Sequence, residues 1–196
     1  MKPRLKEAIA GWTLVEMLVV IAIIGILSAI VAPSWIALLT RQRLNSAQAE
    51  ALTVLRETQA NAKREKRIWQ ACFRDDGTNV LWSIQAVPVS GPDDCTNVPI
   101  GSWNRMLEEN SNSIAIDTTN NATTLLEDPA GYYKMQFQYK GLVNGQLGKI
   151  TFGSRSVQGQ PGVADGSKRC VFVSTLLGVM RAGSNDECAA AEDSND

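Results

Sequence analysis

Residues 11–40 read GWTLVEMLVVIAIIGILSAIVAPSWIALLT, and Glu16 is the only charged residue from Trp12 to Thr40. Residues 17–32 of this stretch are almost entirely aliphatic. A helix that crosses a bilayer needs about 20 apolar residues, so the stretch is long enough to cross. A buried helix of a soluble domain would show a polar face, which this segment lacks. The sequence therefore predicts a membrane-spanning helix over residues 12–40.

The regions on either side of this stretch bear on its orientation. Both flanks are basic, with Lys2, Arg4 and Lys6 before it and Arg41 and Arg43 after it. The positive-inside rule alone therefore does not fix the orientation. All the cysteines follow the apolar stretch, at Cys72, Cys95, Cys170 and Cys188. An even number of cysteines in an anchored chain fits an oxidising compartment. We therefore expect a cytoplasmic N-terminus, with the rest of the chain outside the cytoplasm.

The composition limits the chemistry that the chain can perform. Its 196 residues include 19 Lys and Arg and 20 Asp and Glu, a net charge of -1, which argues against binding to nucleic acid through overall charge. Histidine is absent, which excludes a Ser-His-Asp triad and any His-ligated metal. The adjacent acid pairs Asp75-Asp76 and Asp93-Asp94 occur in turn-like sequence. We therefore expect that the chain is not an enzyme and that it holds no cofactor and no metal.

Gly11 lies before the apolar run, at its junction with the basic leader. An ordinary signal peptide is cut after its apolar core, whereas a cut at Gly11 would remove the leader and keep the helix. From Gly11 to Leu27 the chain closely resembles the type IV pilins and the pseudopilins of type II secretion. Those families share a basic leader, a Gly, an aromatic residue that is usually Phe, T-L-x-E and a long aliphatic helix. Here Trp12 stands in the place of Phe.

The resemblance implies both a maturation step and a fold. Residues 1–11 would be a leader that prepilin peptidase removes after Gly11, and the new amino group of Trp12 would be methylated. The fold would be α+β and pilin-like, with a long N-terminal helix packed on an antiparallel sheet domain. The first half of that helix, residues 12–40, would span the membrane and later lie in the core of a filament.

Glu16 has a physical interpretation of its own. A carboxylate near hydrocarbon is unfavourable, by about 2.5–3.5 kcal/mol for Asp at a helix centre. Cleavage after Gly11 would create an α-amine on Trp12, and a neighbouring subunit's amine would attract the carboxylate. At about 4 Å and an effective dielectric near 20 the attraction is about 4 kcal/mol before desolvation. We therefore interpret Glu16 as an assembly residue. The alternative is an interfacial acid that the helix macrodipole favours.

The helical pattern continues beyond the apolar stretch to about Lys66. One face carries small and apolar residues at steps of three and four, namely Leu44, Ala47, Ala51, Val54 or Leu55, Thr58 and Ala62. Polar residues lie mostly off that face, namely Gln48, Glu50, Arg56, Glu57 and Lys63. Pro33 predicts a kink, because proline removes a hydrogen bond and clashes with the preceding turn. The basic run at residues 63–67 predicts a solvated helix end.

From Ile68 onward the pattern changes to strands. The predicted strands are 68–73, 80–87, 133–139, 149–152 and 169–175, with a turn at Asp75-Asp76-Gly77. Segments rich in Asn, Ser and Gly predict loops at 110–121 and 153–166. The sequence therefore predicts one long helix against one antiparallel sheet, and we expect Trp69, Trp82 and Trp103 in its core.

The order of these features resembles the GspH/FimT group of minor pilins over most of residues 40 to 188. The match is carried by Ala71-Cys72, by Trp82, by Phe137 with Gly141, and above all by residues 169–183, RCVFVSTLLGVMRAG. The resemblance makes 41–196 a periplasmic globular domain of that group. Together with closeness in sequence, it implies the disulfides Cys72–Cys95 and Cys170–Cys188. A four-thiolate zinc site is the alternative, although no CxxC pair is present.

The function that the resemblance implies is structural. The chain would be a minor type IV pilin that enters the priming or tip complex of a pilus and supports pilus assembly, twitching motility and DNA uptake. Its partners would be prepilin peptidase, other minor pilins, the major pilin, the inner-membrane assembly platform and the membrane itself. It would reside in the inner membrane as a single-pass protein and then in the filament.

Two alternatives remain open from the sequence. One is a minor pseudopilin of the type II secretion system, which the helix motif does not distinguish from a pilin. The other is a DNA-binding competence pilin, since some FimT-like proteins carry G-R-x-R near the C-terminus. Here the corresponding residues are Gly178, Val179, Met180 and Arg181, so Arg181 alone would contact DNA, in front of an acidic tail. We therefore expect no direct binding of nucleic acid.

Overall fold

The structure is a computed structural model that describes residues 12–89, 94–108, 111–128, 130–156, 162–164 and 166–189, except for the side chains of residues 30–34. The chain forms two compact units, Met1–Leu39 and Thr40–Asp196, which are treated separately below. One α-helix, α1, runs from Leu14 to Glu65 and contributes residues to both units. Gly11 and the side chain of Pro33 lie outside the described residues, and with them the predicted cleavage site and kink.

In the first unit, α1 begins at a threonine cap. The hydroxyl of Thr13 accepts a hydrogen bond from the Glu16 N–H at 3.2 Å, and its carbonyl accepts one from the Met17 N–H at 3.2 Å. Thr13 therefore satisfies main-chain donors that the first helical turn leaves free. The T-x-x-E spacing is the sequence pattern of a capping box. Glu16 lies in the first turn, where the helix dipole favours a negative charge.

The apolar side chains of the first unit are exposed along α1. Most of the exposed large apolar side chains of the described residues belong to residues 12–38, with Leu14 80% exposed and Ile21 69% exposed. Large contiguous apolar patches mark surfaces that contact other proteins or a membrane. Among the residues that the structure describes, no helix is long and apolar enough to span a membrane.

In the second unit, residues 40–65 of α1 supply one wall of the core. The predicted apolar face is confirmed, because every residue of it is buried: Leu44, Ala47, Ala51, Val54, Leu55, Thr58 and Ala62. The buried hydroxyl of Thr58 donates to the Val54 carbonyl at 2.7 Å, so it adds no unsatisfied group. The helix ends at Glu65 because Lys66 adopts a left-handed backbone with φ of 54°.

Two antiparallel sheets pack with this half of the helix. The strands are β1 Trp69–Asp75, β2 Val80–Ala86, β3 Asn104–Arg105, β4 Ile114–Ile116, β5 Leu126–Glu127, β6 Tyr133–Phe137, β7 Gly148–Ser154, β8 Arg169–Val173 and β9 Met180–Ser184. Sheet A has the order β3-β2-β1-β6-β5, and sheet B has the order β4-β7-β8-β9. Short 3-10 helices occur at Ile100–Ser102, Ser111–Ser113, Thr119–Asn121 and Asn185–Cys188.

The α+β class with a long helix on antiparallel strands is confirmed, but three details of the prediction are wrong. The strands form two sheets instead of one. The predicted loop 110–121 contains β4, whose three residues are all buried. The three tryptophans are half-buried and lie at the margins of the core. These details depend on contacts between distant segments, which a local pattern does not encode.

One core joins the helix to both sheets. Its largest fully buried side chains include Phe73 and Phe137 from sheet A and Ile150 and Phe152 from sheet B. All four belong to the same cluster as the buried face of α1. Because the two sheets share that cluster, the C-terminal strands are held to the helix by the same burial that holds β1 and β6.

Candidate assembly segment and C-terminal hairpin

The predicted processing residues of the first unit lie at the start of α1. Trp12 precedes the helix and is 68% exposed, and Glu16 is exposed in the first turn. Glu16 uses its main-chain N–H to complete the Thr13 cap. Its carboxylate therefore lies one turn from the residue whose amine a cut after Gly11 would free.

In the second unit, two glutamines of α1 hold the hairpin formed by β8 and β9. Gln48 Nε2 donates to the carbonyls of Cys170 at 2.7 Å and Gly183 at 2.6 Å, on opposite strands of the hairpin. Gln59 Nε2 donates to the Gly178 carbonyl at 3.3 Å, in the turn of the hairpin. The two glutamines are about three helical turns apart and therefore share a helix face. The hairpin is thus bonded to α1 at both ends.

The turn of the hairpin approaches the neighbouring loop so closely that it requires glycine. Gly178 has a φ of 73°, and a Cβ added there would lie 2.9 Å from the Gly141 carbonyl oxygen and 3.2 Å from Phe137 Cε1. The same Gly141 carbonyl accepts a hydrogen bond from Gln59 at 2.7 Å. The residues Phe137, Gly141 and Gly178, which carried the family resemblance, therefore meet at one point.

Both disulfides lie in the second unit. Cys72 is bonded to Cys95 and Cys170 to Cys188, with sequence separations of 23 and 18, which is the pairing that the resemblance implied. No free cysteine remains. The bonded sulfurs are unavailable as nucleophiles or as the four thiolates of a zinc site.

A buried lysine fixes the segment that follows the second disulfide. Lys149 Nζ donates to the carbonyls of Cys188 at 3.0 Å and Ala189 at 2.6 Å. Burial lowers the pKa of Lys149 from its usual value of 10.5; the charge of Asp117 opposes this shift, and that of Lys168 adds to it. The amine therefore serves as a hydrogen-bond donor that closes the end of the described chain onto β7.

An ion pair links the loop after β4 to the loop before β8. Lys168 Nζ lies 2.6 Å from Asp117 Oδ2, and the Asp117 side chain has no exposed surface. Burial by itself raises the pKa of Asp117, but the hydrogen bonds from Lys168 and Thr119 outweigh it, so the pKa lies below its usual value of 3.8. The carboxylate is therefore held in its charged form in the folded domain.

Arg181, the residue that would contact DNA, lies on β9 with its positive charge already engaged. Its guanidinium stacks on the Phe172 ring at 4.0 Å from the centroid and lies 3.7 Å from Glu187 Oε2. An acid beside an arginine weakens the attraction of that arginine for a phosphate. The structure thus brings Arg181 together with Glu187 and with no second arginine of a G-R-x-R motif.

Two structures resemble this fold. They are crystal structures of the type IV minor pilin FimU of Pseudomonas aeruginosa strain PAO1, in space groups P21 and P65. Each is 16% identical to this chain; the TM-scores are 0.45 and 0.42, and the alignments cover 76% and 74% of this chain and 96% and 99% of FimU. No model of a protein family and no curated protein matches the sequence. Within the GspH/FimT group, the order of features in this sequence also predicts a likeness to FimU.

The sequence pattern did not predict the polar residues that attach the helix to the sheets. Gln48 and Glu50 were expected off the buried face, but both bind the strands and loops beside it. Glu50 accepts hydrogen bonds from Trp82 Nε1 at 2.6 Å and from the Leu107 N–H at 3.0 Å. Polar residues bordering an apolar helix face are the only local signal for such contacts, and that signal is shared by solvated residues.

Proposed function

We propose that this chain is a minor type IV pilin. Prepilin peptidase would cut after Gly11 and methylate Trp12, and residues 12–40 would hold the chain in the inner membrane with the N-terminus in the cytoplasm. The domain 41–196 would fold in the periplasm. The mature chain would then enter the priming or tip complex of a pilus, through the assembly platform, beside other minor pilins and the major pilin.

The observation that carries this proposal is the set of exposed apolar side chains within residues 12–29 and 35–38. An apolar helix surface is stabilised when lipid or other apolar helices cover it. Lipid would cover it before assembly and neighbouring subunits' helices afterwards. Such a helix leaves the membrane only if another apolar environment replaces the lipid, which is what a filament core of packed helices provides.

Glu16 would favour the filament core over the lipid. In lipid its carboxylate is unfavourable, and the amine that cleavage creates on a neighbouring Trp12 would offset that cost. Glu16 lies in the first turn of the helix, after the Thr13 cap, which would allow its carboxylate to meet such an amine. An uncleaved chain has no α-amine at this level, so assembly would depend on cleavage.

The second unit suits the outside of such a filament. Two disulfides, the Lys149 contacts and the two glutamines of α1 hold the described part of this domain together. A domain stabilised in this way tolerates an oxidising extracellular environment. Twitching motility and DNA uptake would follow from the filament that the chain joins.

The intact mass of the membrane-extracted protein tests this proposal. The protein would be measured from cells with and without prepilin peptidase, before and after reduction. We expect a chain that starts at methylated Trp12 and gains four hydrogens when its two disulfides are reduced. A chain that keeps residues 1–11 in cells with the peptidase would overturn the proposal. A mutant that lacks pili but retains type II secretion tests the alternative. The same mature mass there, with the protein found in pseudopili, would identify a pseudopilin.

A further inference from the structure

One face of sheet A carries two arginines and two aromatic residues that the proposed function does not use. In the register of the sheet, Arg74 on β1 pairs with Leu81 on β2, and Leu81 pairs with Arg105 on β3. Directly paired residues project from the same face of a sheet. Arg74 and Arg105 are therefore on one face, two strand spacings or about 10 Å apart.

Aromatic rings surround the first of these arginines. Trp103, the residue before β3, stacks on Tyr132 with ring centroids 5.5 Å apart. The Arg74 guanidinium lies 4.9 Å from the Trp103 centroid and 5.8 Å from the Tyr132 centroid. A guanidinium that contacts aromatic rings in this way can still use its terminal N–H groups to bind an anion.

The charges of both arginines are unpaired. Among the described residues, neither guanidinium has a hydrogen-bond or ion-pair partner, and Arg74 Nε is buried. Two acids near this face are already engaged by other donors. Asp94 Oδ1 accepts from Thr96, and Asp128 accepts from the N–H groups of Cys95, Ala130 and Tyr132. Arg74 Nε is out of reach of solvent, so a carboxylate from outside the chain would pair with the terminal N–H groups of the two arginines.

We propose that Arg74, Ile100, Trp103, Arg105 and Tyr132 form a docking surface for an acidic segment of another protein. We name these five residues the arginine-aromatic surface. Arginine, tryptophan and tyrosine are the residues that contribute most to the affinity of protein interfaces. Ile100 adds an apolar contact, since it is 94% exposed three residues before Trp103. Carboxylates spaced along the partner would pair with the two arginines.

The observations favour an acidic protein segment over a nucleic acid. Stacking of bases needs open ring faces, whereas Trp103 and Tyr132 stack on each other and on Arg74. A segment with a few carboxylates and an apolar residue matches both the arginines and Ile100. The surface does not depend on entry into a filament, so it is tested independently of the proposed function.

The test measures the binding of short fluorescein-labelled peptides to the full chain extracted in detergent. One peptide alternates Glu and Leu, a second has Gln in place of Glu, and a single-stranded oligodeoxynucleotide is the third probe. We expect the Glu peptide to bind, more weakly at high salt, and the Gln peptide to bind at least about tenfold more weakly. Arg74→Met should weaken binding of the Glu peptide about tenfold and Arg105→Gln about threefold.

The controls separate this surface from general charge and from misfolding. Arg56→Gln removes an exposed arginine from α1 and should leave the affinity unchanged. Arg105→Gln is at an exposed position, so it keeps the test valid if Arg74→Met disturbs the stack. Circular dichroism checks the fold of each variant. Equal affinity for the Glu and Gln peptides, or equal weakening by Arg56→Gln, would overturn the proposal. Tighter, Arg74-dependent binding of the oligodeoxynucleotide would also overturn it, in favour of a nucleic acid.

Discussion

The Arg181 guanidinium lies 4.0 Å from the centroid of the Phe172 ring, directly across the C-terminal hairpin. Glu187 approaches the same guanidinium at 3.7 Å. The positive charge that would attract a phosphate is therefore shared with an aromatic ring and a carboxylate of the chain itself. Arg181 therefore contributes first to the stability of the hairpin.

We predict that Arg181→Ala lowers the free energy of unfolding by about 0.5–1 kcal/mol, the usual contribution of an exposed cation–π pair. The ion pair with Glu187 adds little, because both side chains are about half exposed. Urea unfolding of the full chain in detergent measures the change. In mobility-shift assays with duplex DNA, the variant and the wild type should behave alike. A loss of DNA binding confined to Arg181→Ala would instead support the competence-pilin alternative.

The Gln48 contacts predict that two substitutions of this residue lower stability by different amounts. Gln48→Ala removes a donor from two carbonyls and should cost about 1–3 kcal/mol of stability. Gln48→Glu should cost more at neutral pH, because it sets a negative charge against the same two oxygens. Hydrogen exchange would show faster exchange in β8 and β9 for both variants. Thr53→Ala, on an exposed part of α1, is the control. If Gln48→Glu proved as stable as the wild type, the hairpin would not depend on this amide.

Asp117 predicts how stability depends on pH. Its pKa in the folded chain is below 3.8, so it contributes stability above the unfolded value of about 3.9 and loses it as the pH falls through the folded pKa. Asp117→Asn should therefore cost about 2 kcal/mol at neutral pH, and the difference should shrink below about pH 4. Unfolding midpoints between neutral and acid pH test this. A difference that stays constant through acid pH would mean that the charge of Asp117 is irrelevant.

Removal of each disulfide should raise hydrogen exchange in a different part of the domain. Each closes a loop of similar length, so Cys72→Ser with Cys95→Ser, or Cys170→Ser with Cys188→Ser, should each cost about 3 kcal/mol. Only the second pair should release the Lys149 contacts at Cys188 and Ala189. Hydrogen exchange at the end of the chain distinguishes the two double variants. Equal protection of that segment in both would contradict this assignment.

Glu16 predicts a separation of processing from assembly. Glu16→Ala should leave membrane insertion and leader cleavage intact but abolish incorporation into filaments, because the neighbouring amine loses its carboxylate partner. Thr13→Ser keeps a capping hydroxyl and is the matched control that should still assemble. Mass spectrometry and immunoblots of sheared filaments provide the two readouts. Normal amounts of Glu16→Ala in sheared filaments would falsify the assembly role.

The sequence was sufficient for the elements whose signals are local. The buried face of α1 follows from its helical spacing, and β1 and β2 follow from apolar runs around an Asp-Gly turn. The division into two sheets was not predictable in this way, because β4 is three residues long and its burial depends on β7. The contacts of Gln48 and Glu50 were not predictable for the same reason. Their partners are loop and strand atoms that only the folded chain brings near the helix.

The hydrogen bonds of Gln48 have a consequence for folding during synthesis of the chain. Their acceptors, Cys170 and Gly183, lie 122 and 135 residues later in the chain. The helix is therefore made first, and the strands that complete its contacts are made last. Until they emerge, part of its buried face is uncovered, which makes folding slow and the unfinished chain prone to aggregation. A chain that stops before residue 170 therefore lacks both of the carbonyls that Gln48 binds in the hairpin.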